Sequence, residues 1–126
     1  MEELSNLLNN SFGDEVTPKR IEYWFNLFNE KIFGGVLTPP SFTVKNTAGY
    51  DGWCICWEWD DDSEYEYEIQ LRTRLKLKNL LEVVGHEMLH LYQAQVQKNI
   101  DMPEPTKSDF PEFTTKFEQL GLNVII

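Results

Sequence analysis

The feature that most constrains how this chain can fold is a long apolar segment in its second half. Asn79 is predicted to cap a helix that extends to roughly Lys98. Apolar side chains occur on nearly every side of this helix: Leu80, Leu81, Val83, Val84, Met88, Leu89, Leu91 and Tyr92. A helix that is apolar nearly all round is buried. The rest of the chain must therefore cover it on several sides.

Three ionisable residues, His86, Glu87 and His90, lie in the middle of this helix, and the chain contains no other histidine. Side chains four apart on a helix lie one above the other, so the two imidazoles can bind one metal ion. Glu87 lies one position further round and can act as a general base toward water. Burying three such groups is costly unless they are satisfied, and a metal ion would satisfy them. The alternative is an accidental motif whose histidines donate to carbonyl groups in the core.

A catalytic zinc site needs a third protein ligand and an open position. The carboxylates that follow the helix are Asp101, Glu104, Asp109, Glu112 and Glu118. Asp101 and Glu104 are expected in a segment that turns away from the helix exit. Asp109 and Glu112 begin the next predicted helix, which can fold back toward the metal. The same pair also fits an N-terminal capping box, so spacing alone leaves both open as the third ligand.

The remaining elements are predicted from periodicity, caps and turn residues. They are a helix from Thr17-Pro18 to Gly34-Gly35, strands over 41–47, 53–59 and 64–75, a last helix from Asp109 to Leu120, and a short helix over 2–10. The residues after Gly121 form an apolar tail. Cys54 and Cys56 lie two apart on one strand, where disulfide geometry is rare, and are interpreted as semi-buried thiols. We expect one domain over 1–126, with its core over about 18–122.

Charge and hydropathy exclude some classes of function. The 126 residues carry a net charge of −10, which argues against direct nucleic-acid binding, because that needs clustered Lys and Arg. No apolar run is long enough to span a membrane. The acidic N-terminus lacks the features of a signal peptide, so a cytoplasmic location is expected.

Several segments resemble the SprT-like zinc metallopeptidases, a family of the zincin superfamily. Val84-Gly85-His86-Glu87-Met88-Leu89-His90 is similar to the family's zinc helix. Weaker similarities, in the family's order, cover Phe25 to Asn29, Phe33 to Leu37, Ala48 to Tyr50 and Glu68 to Leu71. Together the similarities span about residues 18–122. The family's zinc ribbon and DNA-binding tail have no counterpart, so a DNA-directed role is not carried over.

The resemblance implies an α+β, zincin-like fold with an N-terminal helix, a three-stranded sheet, a buried metal-binding helix and a C-terminal helix. It implies a metallopeptidase that acts on a protein or peptide substrate. The family's third ligand is a histidine in a His-Gly-x-x-Phe pattern. When that pattern is aligned on Phe113, the ligand position falls on Asp109. The expected zinc ligands are therefore His86, His90 and Asp109, with Glu112 as the alternative third ligand.

Two further expectations concern the chemistry of the site. Glu87 is expected to be the catalytic base, and Tyr50 and Tyr92 are candidates by residue type for stabilising the oxyanion. The alternative function is an acidic interaction module that binds zinc without catalysis. The number of protein ligands separates the two, because three with an open position favours the enzyme and four favours the module.

Overall fold

The fold is a small mixed α+β domain, seen in a computed structural model that describes residues 13–47, 49–58 and 65–125. The described residues form three helices, a three-stranded sheet and a two-stranded ribbon. In chain order the elements are β1 (Gly13–Glu15), α1 (Pro18–Lys31), β2 (Ser41–Lys45), β3 (Gly52–Glu58), β4 (Tyr65–Arg72), β5 (Arg74–Lys76), α2 (Leu77–Gln95) and α3 (Pro111–Gln119). The predicted helix over 2–10 lies outside the described residues.

Helix α1 begins as the sequence predicts, with Thr17 as its cap and Pro18 in its first turn. The Thr17 hydroxyl accepts a hydrogen bond from the Arg20 N–H at 3.2 Å. The buried residues recur at three- and four-residue spacing: Ile21, Trp24, Phe25 and Phe28. The helix ends at Lys31, slightly before the predicted Gly34-Gly35. Both glycines have positive φ, 67° and 76°, and turn the chain toward β2.

The three-stranded sheet has the order β2–β4–β3, with β2 parallel and β3 antiparallel to β4. Its inner face carries Phe42, Cys54, Ile69 and Leu71, which pack into the core. Side chains alternate between the two faces along a strand. Trp53 and Trp57 therefore lie on the outer face, where they are 54% and 44% exposed.

Helix α2 lies at the centre of the molecule and is buried on nearly all sides, as its composition predicts. It starts at Leu77 and not at the predicted Asn79, because β5 leads directly into it and buries Leu75 and Leu77 on either side of the junction. It ends at Gln95, before the predicted Lys98. The left-handed conformation of Lys98, with φ 58°, takes the chain out of the helix direction.

Helix α3 and the C-terminal tail cover another side of α2. The helix spans Pro111–Gln119, two residues later than predicted at its start, with Phe110 at the cap position. After Gly121 the chain continues as coil, with Leu122 and Val124 each only 1% exposed. No helix in the described part of the chain combines the length and the apolar character that crossing a membrane requires.

Candidate metal centre

The two histidines project from α2 as the motif predicts, and each has its Nδ1 atom hydrogen-bonded. His86 Nδ1 lies 2.7 Å from the carbonyl oxygen of Val124, which can only accept. His90 Nδ1 lies 3.0 Å from Gln93 Oε1. The Gln93 amide nitrogen in turn donates to the Pro103 carbonyl at 2.9 Å, so its oxygen faces His90 as an acceptor. Both rings therefore carry a proton on Nδ1, and in the neutral form of each ring the lone pair is on Nε2.

Both Nε2 atoms lie near one carboxylate, that of Glu104. His86 Nε2 lies 3.6 Å from Glu104 Oε2, and His90 Nε2 lies 3.7 Å from Glu104 Oε1. One ligand atom from each of the three residues lies within 4.8 Å of the other two. The His90 pKa is lowered mainly by burial, which favours the neutral, ligating form of that imidazole. His86, His90 and Glu104 thus form a group that could hold a metal ion.

Glu104 reaches the histidines because the segment after α2 turns back over the end of that helix. Gln93 binds the carbonyl of Pro103, the residue before Glu104, and Pro105 after it is buried. Proline on both sides restricts the backbone and disfavours a helical conformation at Glu104. Anchored in this way, the exposed Glu104 carboxylate, 77% accessible, lies beside two imidazoles that are nearly buried.

Glu87 lies between α2 and strand β3, next to this group. The Cys54 backbone N–H donates a hydrogen bond to its carboxylate. Burial, and then the negative charge of Glu104, raise the pKa of Glu87 from 4.5 to about 8 against the opposing effect of that hydrogen bond. A carboxyl group with this pKa can take up and release a proton near neutral pH.

Two glycines allow other elements to approach α2 closely at the site. A Cβ atom at Gly52 of β3 would collide with Val83 Cγ1 and lie 3.4 Å from Glu87 Oε2. A Cβ atom at Gly85 would lie 2.5 Å from Val124 Cγ1 and 3.0 Å from the Phe117 ring. Gly85 therefore gives room for α3 and for the tail that carries the acceptor of His86.

The residues predicted as third ligands lie outside this group, and Glu104 takes the position expected for Asp109 or Glu112. Asp109 accepts a hydrogen bond from the Thr106 N–H at 2.9 Å, in the turn before α3. Glu112 accepts from Lys116 Nζ at 3.4 Å, one turn along α3. The sequence interpretation set Glu104 aside because it expected that segment to turn away. The flanking prolines were the signal that this carboxylate is held in place.

The structure also shows the contacts of Tyr50 and Tyr92, the candidates for stabilising the oxyanion, and the state of the two cysteines. The Tyr50 hydroxyl donates to Gln70 Oε1 at 3.2 Å on the outer face of the sheet, and the Tyr92 ring packs against Phe110 and Phe113. Cys54 and Cys56 are free thiols, as predicted. Burial raises the pKa of Cys54 strongly, so this thiol is kept protonated.

The C-terminal tail is held against α2 by Glu82, a residue on that helix. Glu82 Oε2 accepts a hydrogen bond from the Asn123 N–H at 2.7 Å, next to the carbonyl that binds His86. Glu82 thereby supports His86 through the tail and does not contact the ring itself.

Comparison with models of protein families, with curated proteins and with solved structures found no significant match for this chain.

Proposed function

We propose that this protein is a zinc-dependent metallopeptidase of the SprT-like kind, with zinc held by His86, His90 and Glu104. The observation that supports this most is the convergence of both Nε2 atoms on one carboxylate while each Nδ1 is occupied by an acceptor. Neutral imidazoles whose second nitrogen donates to an oxygen are the usual metal-ligating form of histidine.

The spacing of the three groups fits a zinc ion. Ligands at 2.0–2.1 Å around a tetrahedral ion lie about 3.3 Å apart. The imidazole nitrogens lie 3.6 and 3.7 Å from different oxygens of Glu104, and one ligand atom of each residue lies within 4.8 Å of the other two. Binding one ion would draw these atoms together by up to about 1.5 Å. The described residues bring three candidate protein ligands together, and three ligands favour a catalytic site over a purely structural one, which usually closes with four. This count supports the enzyme over the acidic zinc-binding module.

Glu87 is proposed as the general base. Zinc at this position would act as a Lewis acid that polarises the peptide carbonyl. It would also lower the pKa of a water molecule, so that this water can lose a proton and attack the carbonyl. The carboxylate of Glu87 takes the proton from that water and later delivers it to the leaving amine. The Cys54 N–H holds this carboxylate in place, and its position beside the ligands supports the role.

Strand β3 offers a place for an extended peptide substrate. The main-chain carbonyl of Asp51 accepts a hydrogen bond from the Arg72 N–H at 2.9 Å. In an antiparallel pair every second residue is hydrogen-bonded to the partner strand in this way. The backbone groups of Cys54 and Cys56 consequently point away from β4, and the Cys54 N–H among them donates to Glu87. No described strand lies on that side of β3. An extended segment could add there as a further strand, beside Glu87.

The test separates metal binding from catalysis. Purified wild-type protein should contain about one zinc per chain, and His90→Ala should contain far less. Glu87→Gln should keep the zinc and lose at least about 100-fold in cleavage of an unfolded, fluorescently labelled protein substrate. Glu22→Gln, an exposed change of the same type on α1, is the matched control and should behave as wild type. Full activity in Glu87→Gln would refute the catalytic assignment.

A further inference from the structure

The outer face of the three-stranded sheet carries large aromatic side chains that are exposed to solvent. Trp53 is 54%, Trp57 44% and Tyr50 37% exposed, and the Tyr50 and Trp53 rings meet edge to face at 5.8 Å. Ile55 lies between the two tryptophans on the same face. Both tryptophans lie outside the core, to which the opposite face of β3 contributes Cys54.

Carboxylates lie directly across from these apolar side chains on the neighbouring strand. The register pairs Trp57 with Glu66 and Ile55 with Glu68, so the opposed side chains share the outer face. Thr43 Oγ1 donates to Glu68 Oε2 at 2.9 Å, and Gln70 Nε2 lies 3.4 Å from the same oxygen. These neutral donors orient the Glu68 carboxylate without neutralising it. In the described residues no Lys or Arg forms an ion pair with Glu66 or Glu68.

Among the described residues of the sheet, positive charge on this face lies at its far end, at Lys45 and Arg72. Arg72 lies across from Asp51, and its Nη1 atom forms an ion pair with that carboxylate at 3.1 Å. The end near Trp57 therefore carries exposed rings together with uncompensated negative charge. Aromatic faces and carboxylates each attract Lys and Arg side chains, through cation–π and ionic contacts respectively. Apolar contact with the rings also favours the aliphatic stems of those side chains.

We propose that this surface, defined by Trp53, Ile55, Trp57, Glu66 and Glu68 and called here the outer sheet face, binds a Lys- or Arg-rich segment of a partner protein. The charge of the whole chain, −10, favours the same kind of partner. The outer sheet face lies on the side of β3 opposite to Gly52 and Cys54, which face α2 and Glu87. The binding does not depend on the metal centre, so it is independent of the proposed catalysis.

Binding can be measured with a fluorescently labelled peptide of alternating lysine and glycine, titrated with the Glu87→Gln protein so that no cleavage occurs. We expect saturable binding that weakens as salt is added, because exposed charges are screened. The double variant Trp53→Ala/Trp57→Ala should bind about fivefold or more weakly. The double variant Glu66→Gln/Glu68→Gln should bind more weakly and lose most of its salt dependence. A peptide with glutamate in place of lysine should not bind.

Matched controls come from exposed residues of α1. Tyr23→Ala removes an aromatic ring that is 61% exposed, and Glu22→Gln/Glu30→Gln removes two exposed carboxylates. Both controls should bind the lysine peptide as the parent does, and far-ultraviolet circular dichroism should show that all variants are folded. The proposal is overturned if the controls weaken binding as much as the outer-face variants. It is also overturned if the tryptophan variant binds normally, or if a single-stranded oligonucleotide binds more tightly than the peptide.

Discussion

At the scale of single residues, the direction of each imidazole is set by what its Nδ1 atom binds. Val124 and Gln93 supply these acceptors, Val124 from the C-terminal tail and Gln93 from the same helix as His90. Gln93 also binds the Pro103 carbonyl, so one side chain positions His90 and anchors the segment that presents Glu104. The candidate ligands His90 and Glu104 are therefore oriented together.

The proposal that Glu104 is the third ligand can be tested by comparing Glu104→Gln with Asp109→Asn. Glu104→Gln should weaken zinc affinity by at least about tenfold, because it removes the anionic member of the group. Asp109→Asn should leave zinc affinity within about twofold, since Asp109 binds Thr106 in the turn before α3. Competition with a chromogenic chelator measures both. A larger loss in Asp109→Asn than in Glu104→Gln would restore the assignment made from the sequence.

Gly85→Ala should destabilise the protein by about 1–3 kcal/mol, even though alanine is the better helix former. The added methyl would press on Val124 and Phe117, which pack directly over this position. Urea denaturation measures the change. Lys78→Ala, an exposed substitution in the same helix, is the control and should alter stability by less than about 0.5 kcal/mol. Equal or higher stability in Gly85→Ala would mean that the tail does not pack as closely as described.

At the scale of elements, the metal centre requires four pieces of chain to meet. Helix α2 carries His86, Glu87 and His90, a backbone N–H of β3 donates to Glu87, the segment after α2 supplies Glu104, and the C-terminal tail binds His86. The tail has no regular secondary structure, yet it provides one of the two acceptors that set the imidazole directions. Its contribution can be tested apart from the motif.

Deleting residues 123–126 should reduce both stability and zinc affinity. The deletion exposes the surface that Val124 covers, at a cost of about 1.5–3 kcal/mol, and removes the acceptor of His86. Zinc affinity should fall by about 10–100-fold, as for other losses of a partner behind a ligating histidine. Glu82→Ala removes only the hydrogen bond between Glu82 and the tail, and should show a smaller loss of zinc affinity. Unchanged zinc affinity in both variants would contradict the role of the tail.

At the scale of the whole molecule, the buried Glu87 links stability to pH in metal-free protein. Its pKa is raised to about 8 in the folded state, mainly by burial, and is near 4.5 when the chain is unfolded. The folded state therefore keeps a proton that the unfolded state releases between these values. Stability from this group is present below about pH 4.5 and is lost as the pH rises toward 8.

The comparison of wild type with Glu87→Gln isolates this effect from the other carboxylates. In the presence of a chelator, the stability of wild type relative to the variant should fall by a few kcal/mol between about pH 5 and about pH 8. Urea denaturation at several pH values measures the difference. A difference that stays constant with pH would show that Glu87 is not buried as described.

The sequence alone was sufficient for the features that depend on local spacing. The cap of α1, the burial of α2 and the projection of His86, Glu87 and His90 from one helix all follow from residues within a few positions of each other. Helix ends were less well predicted, because the start of α2 depends on its junction with β5 and not on a capping side chain.

The third member of the group was decided only by the tertiary structure. Whether Glu104 or Asp109 meets the histidines depends on how the chain turns after α2, and that turn is held by contacts of Gln93 and by the burial of Pro105. The tail acceptor at Val124 is likewise 38 residues from His86 in sequence. Helical geometry links residues four apart without reference to the rest of the chain, whereas a loop carboxylate reaches its partners only through packing.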